Sequence, residues 1–332
     1  MSTEDERIDK VINALRHALD GDSLPERARG RAQGMLDALV DPVRVSVIGP
    51  PDTGKTTIVN LLAGEEIVPR SLTLGVTKLV HGPFSRAIIT MRDGGKHIVD
   101  DPRTLSQLAR NDPAMTQLQA PLKSLRTISL TELSLPPGNQ ARRKALEWIS
   151  SQTDFTIWCT QSFDDGERLA WGSAPDRMRD ASLLLRTRAD QIDASSDLAL
   201  SRLEAVARGH FNDVQLISAY LARVARGQKP LNRKVFRRSG AAALMTRLMT
   251  FVERRREGIA DQAQFLLAHH ALPIVMDAPP AKDEPEDEAP KRDPKDGPTV
   301  MRIDSRDIAM RQVKGSKAAA NGSARQIDKI AD

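Results

Sequence analysis

The sequence predicts an α/β sandwich on a mostly parallel sheet, flanked by helices at both ends. Three observations carry that expectation. Val43-Arg44-Val45-Ser46-Val47-Ile48 is an apolar strand that enters a glycine-bounded loop and then the helical run Thr57-Ile58-Val59-Asn60-Leu61-Leu62. Beyond it, short apolar runs alternate with stretches of helical periodicity, as strands joined by crossover helices do. Helical periodicity without strands precedes Val43 and follows Gly240.

The chain opens with two helices. Ile8, Val11, Ile12, Leu15 and Leu19 recur at helical spacing, Thr3 and Glu6 have the spacing of a capping box, and Gly21 can stop the first helix. The second runs from about Pro25 to Val40 and ends at Asp41-Pro42, because a residue before proline avoids helical angles. Together they predict a hairpin over residues 1–42. Strands are then expected at 43–48, 78–81, 87–91, 127–133, 155–159, 182–185 and 214–217. Helices are expected after the glycine loop and at 105–118, 140–150, 166–180, 195–208 and 220–226. A long helical region spans 240–271, with Leu244, Leu248, Phe251 and Val252 on one stripe. The expected divisions are 1–42, a nucleotide domain at 43–256, a helical extension at 257–275 and a disordered tail at 276–332. Asp277–Pro298 supports the last, with six prolines, eight acidic residues and four basic ones. Such a segment buries too little apolar surface to offset its ordering entropy. The amphipathic patch Val300-Met301-Arg302-Ile303 beyond it reads as part of an inert tail, with a recruitment peptide as the other reading.

Composition narrows the functional classes. The 49 basic and 44 acidic residues leave a net charge of +5, spread along the chain, so nucleic acid is not an expected partner. No apolar run approaches the roughly 20 residues of a membrane span, and the acidic start Met1–Glu6 is unlike a signal peptide. Cys159 is the only cysteine, lies in an apolar run and reads as core. The expected compartment is the cytoplasm. The histidines show no ligand spacing, so no zinc site is expected. The basic groups at 233–234, 237–238 and 254–256 read as solvated helix faces.

The chemistry lies in Gly49-Pro50-Pro51-Asp52-Thr53-Gly54-Lys55-Thr56, followed by Thr57. The run fits G-x-x-x-x-G-K-[ST], the phosphate-binding loop, between a strand and a helix as that motif requires. Its backbone N–H groups and the helix N-terminus favour an anion. Lys55 can reach the β- and γ-phosphates, and the Thr56 hydroxyl can ligate Mg²⁺. The fold class is therefore a P-loop NTPase three-layer sandwich.

Three further stretches bear on the base. Thr187-Arg188-Ala189-Asp190 resembles the [NT]-K-x-D motif of GTPases, with Arg for Lys. Ser218-Ala219 follows the strand Val214–Ile217 and matches their S-A element. Leu61-Leu62-Ala63-Gly64-Glu65-Glu66-Ile67-Val68-Pro69 resembles the run that follows the P-loop helix in dynamin-like GTPases. Between about Val43 and Arg256 the chain thus resembles a bacterial dynamin-like GTPase. The resemblance implies that Asp190 accepts hydrogen bonds from guanine, that Arg188 lies along the base, and that the Ser218-Ala219 backbone meets the guanine oxygen. It implies GTP and GDP as ligands, Mg²⁺ as cofactor, slow assembly-dependent hydrolysis, self-association through the nucleotide face, and peripheral contact with membranes.

Two departures touch hydrolysis. The family's third motif, D-x-x-G, aligns with Leu135-Pro136-Pro137-Gly138. Gly138 falls where the γ-phosphate is sensed, but Leu135 replaces the aspartate of the Mg²⁺ shell. Glu132, three residues earlier, would need a different strand register to substitute. Pro51 occupies the position where dynamins carry a polar residue, with Asp52 beside it. For the switch threonine that contacts Mg²⁺ and water, Thr77 is the first choice and Thr73 the alternative. A nucleotide-binding switch without turnover is the second functional reading. An ATPase of another class is the third, and it requires the two base motifs to be coincidences.

Overall fold

The computed structural model describes residues 3–21, 24–69, 76–100, 113–192, 196–270 and 300–302. Helices α1 (Thr3–Asp20) and α2 (Glu26–Val40) form the expected hairpin. Their apolar stripes do not lie on the sheet. Val11, Leu15, Ala32 and Leu39 pack with Ala260, Ala263 and Leu267 from the far half of a long C-terminal helix, giving a three-helix bundle with its own core. Arg7 of α1 fastens it at the surface through Asp261, at 2.7 Å.

The sheet begins at β1 (Val43–Gly49), which leads through the glycine loop into α3 (Lys55–Ala63). Next come β2 (Val76–His81), β3 (Arg86–Thr90), β4 (Lys96–Val99) and β5 (Met115–Ala120). The turn α4 (Ser124–Thr127) precedes β6 (Ile128–Ser134), and α5 (Asn139–Ser150) leads to β7 (Phe155–Thr160). Then follow α6 (Asp165–Gly172), α7 (Asp176–Arg179), β8 (Ser182–Arg186), α8 (Ser196–Ala207) and β9 (Asp213–Leu216). The helices α9 (Ala219–Gly227), α10 (Arg233–Arg238) and α11 (Ala241–His269) follow, and β10 (Val300–Arg302) is last. The strand order is β10-β4-β3-β5-β2-β6-β1-β7-β8-β9. The half from β6 to β9 is parallel; β2 meets β6 antiparallel, and β3 is antiparallel to both neighbours.

Alternation along the central strands sends side chains to two cores. Val45 and Val47 of β1 and Leu130 of β6 face Ile58 and Val59 of α3 and Leu244 and Leu248 of α11. Ile48, Leu133 and Trp158 face the other way, against Leu146 and Ile149 of α5 and Trp171 of α6. The near-continuous apolar runs of β1, β7 and β8 follow from burial on both faces. Helix α11 runs unbroken past residue 256, its first half on the sheet and its second in the bundle. The two parts are also joined through Asp154, which accepts from Arg44 at 2.8 Å and from Arg255 at 3.0 Å. Arg255 is thus tied into this junction rather than standing on a solvated face.

Two sequence expectations need correction. Residues 115–118, assigned to a helix over 105–118, belong to strand β5; residues 105–112 lie outside those described. The expected helix over 166–180 is two, α6 and α7, separated by Ser173-Ala174-Pro175. Pro175 has no N–H to continue a ladder, and Ala174 before it is turned away from helical angles. The strand β4 and the helix α10 were not expected. Residues 277–298 lie outside those described, whereas 300–302 form a strand parallel to β4.

Candidate nucleotide-binding site

At the carboxyl end of β1 the chain passes so close to β7 that position 49 has no room for a side chain. A Cβ there would lie 2.2 Å from the Cys159 carbonyl oxygen. Gly54 ends the loop at φ +83, a left-handed angle, and is the N-cap of α3. Between them Asp52 also takes a positive φ of 58°. The loop is held from within and from outside. Thr53 donates to the Pro50 carbonyl at 2.9 Å, and Thr187 donates to the Thr53 carbonyl at 2.7 Å. The Asp52 carbonyl accepts from Arg188 at 2.9 Å and from Gln161 at 3.1 Å. Pro51 and Asp52 are exposed at the loop tip.

Lys55 is buried, and its ammonium donates to the Pro50 carbonyl at 2.5 Å. Burial lowers its pKa, and the charges of Cys159, Glu132 and Asp52 only partly oppose this. A phosphate at the loop would supply the anion this cation lacks. Thr57 lines the adjacent cavity.

The base-motif residues converge on the same loop. Thr187 and Arg188 follow β8, with Arg188 at a left-handed φ of 53° before a single 3₁₀ turn over Ala189–Gln191. Ser218 caps α9, its hydroxyl accepting from the Leu221 N–H. The Ala189 N–H donates to the Ile217 carbonyl at 3.0 Å, which binds the two motifs together. They enclose a cavity of about 420 Å³ lined by Gly54, Thr57, Thr187, Arg188, Asp190 and Ala219, with Gln191, Tyr220 and Arg223. The Arg223 guanidinium lies 5.8 Å from the Tyr220 ring centre. Sequence reasoning missed Gln161, Gln191, Tyr220 and Arg223. Tyr220 follows the S-A element directly and Arg223 lies three residues on, so helical spacing was the available signal.

The remaining expected residues gather on the opposite flank. The Leu135 N–H donates to the Gly49 carbonyl at 3.1 Å, bringing the Leu135–Gly138 turn alongside the loop. Leu135 itself is buried among Leu133, Trp158 and Phe163, on the face of the sheet away from α3. Gly138 is exposed as the N-cap of α5. Thr77 is buried on β2 and pairs with Glu132 of β6; partners across an antiparallel pair share a face. Thr73 lies outside the described residues.

Glu132 accepts from the Thr56 hydroxyl at 2.6 Å. Its other oxygen, Oε2, is buried and has no hydrogen-bond partner. Burial raises the carboxyl pKa against the opposing effects of the Thr56 hydrogen bond and the Lys55 charge. The contact forms with Glu132 opposite Val47 on β1, so no shifted register is needed. A hydroxyl beside a carboxylate with a spare oxygen is a hard-oxygen donor set, and it fits Mg²⁺.

The comparisons with known proteins bear on the fold. Two solved structures of an oligomerised bacterial dynamin pair match with a TM-score of 0.52. They are 14% and 13% identical, over 80% and 81% of this chain and 43% and 44% of theirs. At that level of identity the likeness is one of fold, and this chain shares the fold of those structures. The isoniazid-induced protein IniC of two Mycobacterium tuberculosis strains is 35% identical over 101 residues. That match takes in 28% of this chain and spans a fifth of the relative's length, 20%. No protein-family model matches the chain. No helix among the described residues of this chain is long and apolar enough to cross a membrane.

Proposed function

We propose that this protein binds GTP and GDP with Mg²⁺ and hydrolyses GTP slowly, to GDP and phosphate, faster when it assembles. The observation that carries the reading is the single cavity bounded by Gly54 and Thr57 of the phosphate loop and by Thr187, Arg188 and Asp190 of the base motif. The Asp190 carboxylate accepts two N–H donors from guanine, a pair that adenine lacks. Lys55 neutralises charge on the β- and γ-phosphates, and the loop N–H groups and α3 N-terminus hold the phosphate chain. Thr56 and Thr77 would hold Mg²⁺, which would offset phosphate charge. The Gly138 N–H meets the γ-phosphate. Pro51 offers no polar group to orient the attacking water, which favours a slow reaction.

A second reading, a nucleotide-binding switch without turnover, is favoured by one observation: Leu135 is buried in the core where the family carries an acid. Self-association through the nucleotide face and peripheral membrane contact belong to the proposal by analogy. Their support is the likeness to a dynamin pair described as oligomerised and membrane-tethering.

Phosphate release from GTP, measured across a protein-concentration series with Lys55→Ala as control, tests the proposal. Specific turnover that rises with concentration and is absent in the variant supports an assembling GTPase. Folded, GDP-binding protein with no turnover above the variant leaves the switch reading.

A further inference from the structure

We propose that Glu132 is the carboxylate that holds the Mg²⁺ shell in this chain, in place of the acid missing at position 135. The inference rests on the nucleotide-binding reading above and names one residue's part in it.

Strand geometry carries the argument. Along β6, Ile128 and Leu130 belong to the core beneath α3, and Leu133 and Leu135 to the opposite core. Side chains alternate along a strand, so Glu132 continues the α3 face and Leu135 does not. An acid at 135 with the observed side-chain direction would point into the Trp158–Trp171 core. Glu132, three residues earlier and inside the strand, already touches the helix that follows the glycine loop. Its Oε1 accepts a hydrogen bond from the Thr56 hydroxyl at 2.6 Å, which leaves the hydroxyl oxygen's lone pairs free for a metal ion. Its Oε2 is buried without a donor. A buried carboxylate oxygen with no partner is costly, and a hydrated divalent cation supplies what it lacks, through bound water. Thr77, across the β2–β6 pair from Glu132, brings a third hard oxygen to the same face. In the fold's usual arrangement the acid enters from the strand end. Here the longer glutamate side chain enters from within the strand, and position 135 is released to the core.

The test is the affinity of the full chain for a fluorescent GDP analogue, measured with millimolar Mg²⁺ and again with EDTA. The probes are wild type, Glu132→Gln and Glu132→Asp, and each variant's fold is checked by thermal melting without nucleotide. Wild type is expected to bind more tightly with Mg²⁺ than with EDTA. Glu132→Gln is expected to lose about ten-fold or more of the Mg²⁺ affinity while its EDTA affinity stays near wild type. Glu132→Asp, with the charge kept but withdrawn by one methylene, is expected to need more Mg²⁺ for the same affinity. Variants that keep the full Mg²⁺ effect overturn the assignment and leave nucleotide binding standing. Wild type that binds GDP equally with Mg²⁺ and EDTA overturns it too. Wild type that binds no GDP in either condition overturns the underlying reading. Should Glu132→Gln not fold, Glu132→Asp alone decides between these outcomes.

Discussion

Replacing Gly49 by alanine puts a carbon atom where the neighbouring strand already is. The new Cβ would lie 2.2 Å from the Cys159 carbonyl oxygen, about 1.2 Å inside the 3.4 Å at which ordinary contact begins. It would also lie 3.2 Å from the Thr53 hydroxyl. Neither β1 nor β7 can yield cheaply. Val47, Ile48, Trp158 and Cys159 are each fully buried, and Ile48 pairs with Trp158 in the ladder. Overpacking of this kind costs about 1–3 kcal/mol. In a domain of this size that is a fall of about 2–12 °C in melting temperature. The relief open to the chain is to lift the loop off β7, which breaks the hold that Thr187 and Arg188 have on Thr53 and Asp52. Melting and GDP affinity should therefore fall together. A Gly49→Ala protein with unchanged melting temperature and unchanged nucleotide affinity would refute the close packing of loop on strand, and with it the reason for a glycine there.

Asp190→Ala removes the only acid among the described residues that line the cavity. Losing two charge-assisted hydrogen bonds of about 1.5–3 kcal/mol each should weaken GDP at least a hundred-fold, read by calorimetry, with little change in melting temperature because Asp190 is exposed. Leu15→Ala, at a fully buried position in the three-helix bundle, should cost about 2–5 kcal/mol in denaturant unfolding and leave GDP affinity of the folded protein unaltered. The Asp154 junction predicts an acid sensitivity. Burial would raise that carboxyl's pKa, but hydrogen bonds from Arg44 and the Arg255 charge outweigh it and hold the value below the ordinary one. Its contribution is therefore present above the unfolded value of about 3.9 and is lost as pH falls through the lower folded value. Asp154→Asn should cost about 1–3 kcal/mol at neutral pH, discounted for the half-exposed Arg44, and should flatten the loss of stability below about pH 4.

What could be read from the sequence was whatever has a local cause. The glycine loop was legible because its glycines, Lys55 and Thr56 sit between an apolar strand and a helix. The central strands were so because burial on both faces makes them apolar throughout. The outer sheet was harder. In β5, half-buried Met115, Gln117 and Gln119 alternate with buried Thr116, Leu118 and Ala120. Leu105, Leu108, Met115 and Leu118 share a helical spacing, and that period masked the strand's own. Pro175 was a visible break that the helix over 166–180 should have respected. Glu132 was named but set aside, because the decisive fact is which sheet face it shares with Thr56. Face and partner are set by pairing across β1 and β2, which a single sequence does not carry. The hairpin was legible, but not what it packs on: that is set by Ala260, Ala263 and Leu267, far from it in sequence.

The central claim is that one cavity holds a guanine nucleotide. Its most direct test is competition against a bound fluorescent GDP analogue, with Mg²⁺, by unlabelled GDP, GTP and ATP. Displacement by GDP and GTP at concentrations at least a hundred-fold below those needed for ATP is the expected result. Equal displacement by ATP, or no binding of the analogue to folded protein, would contradict the account.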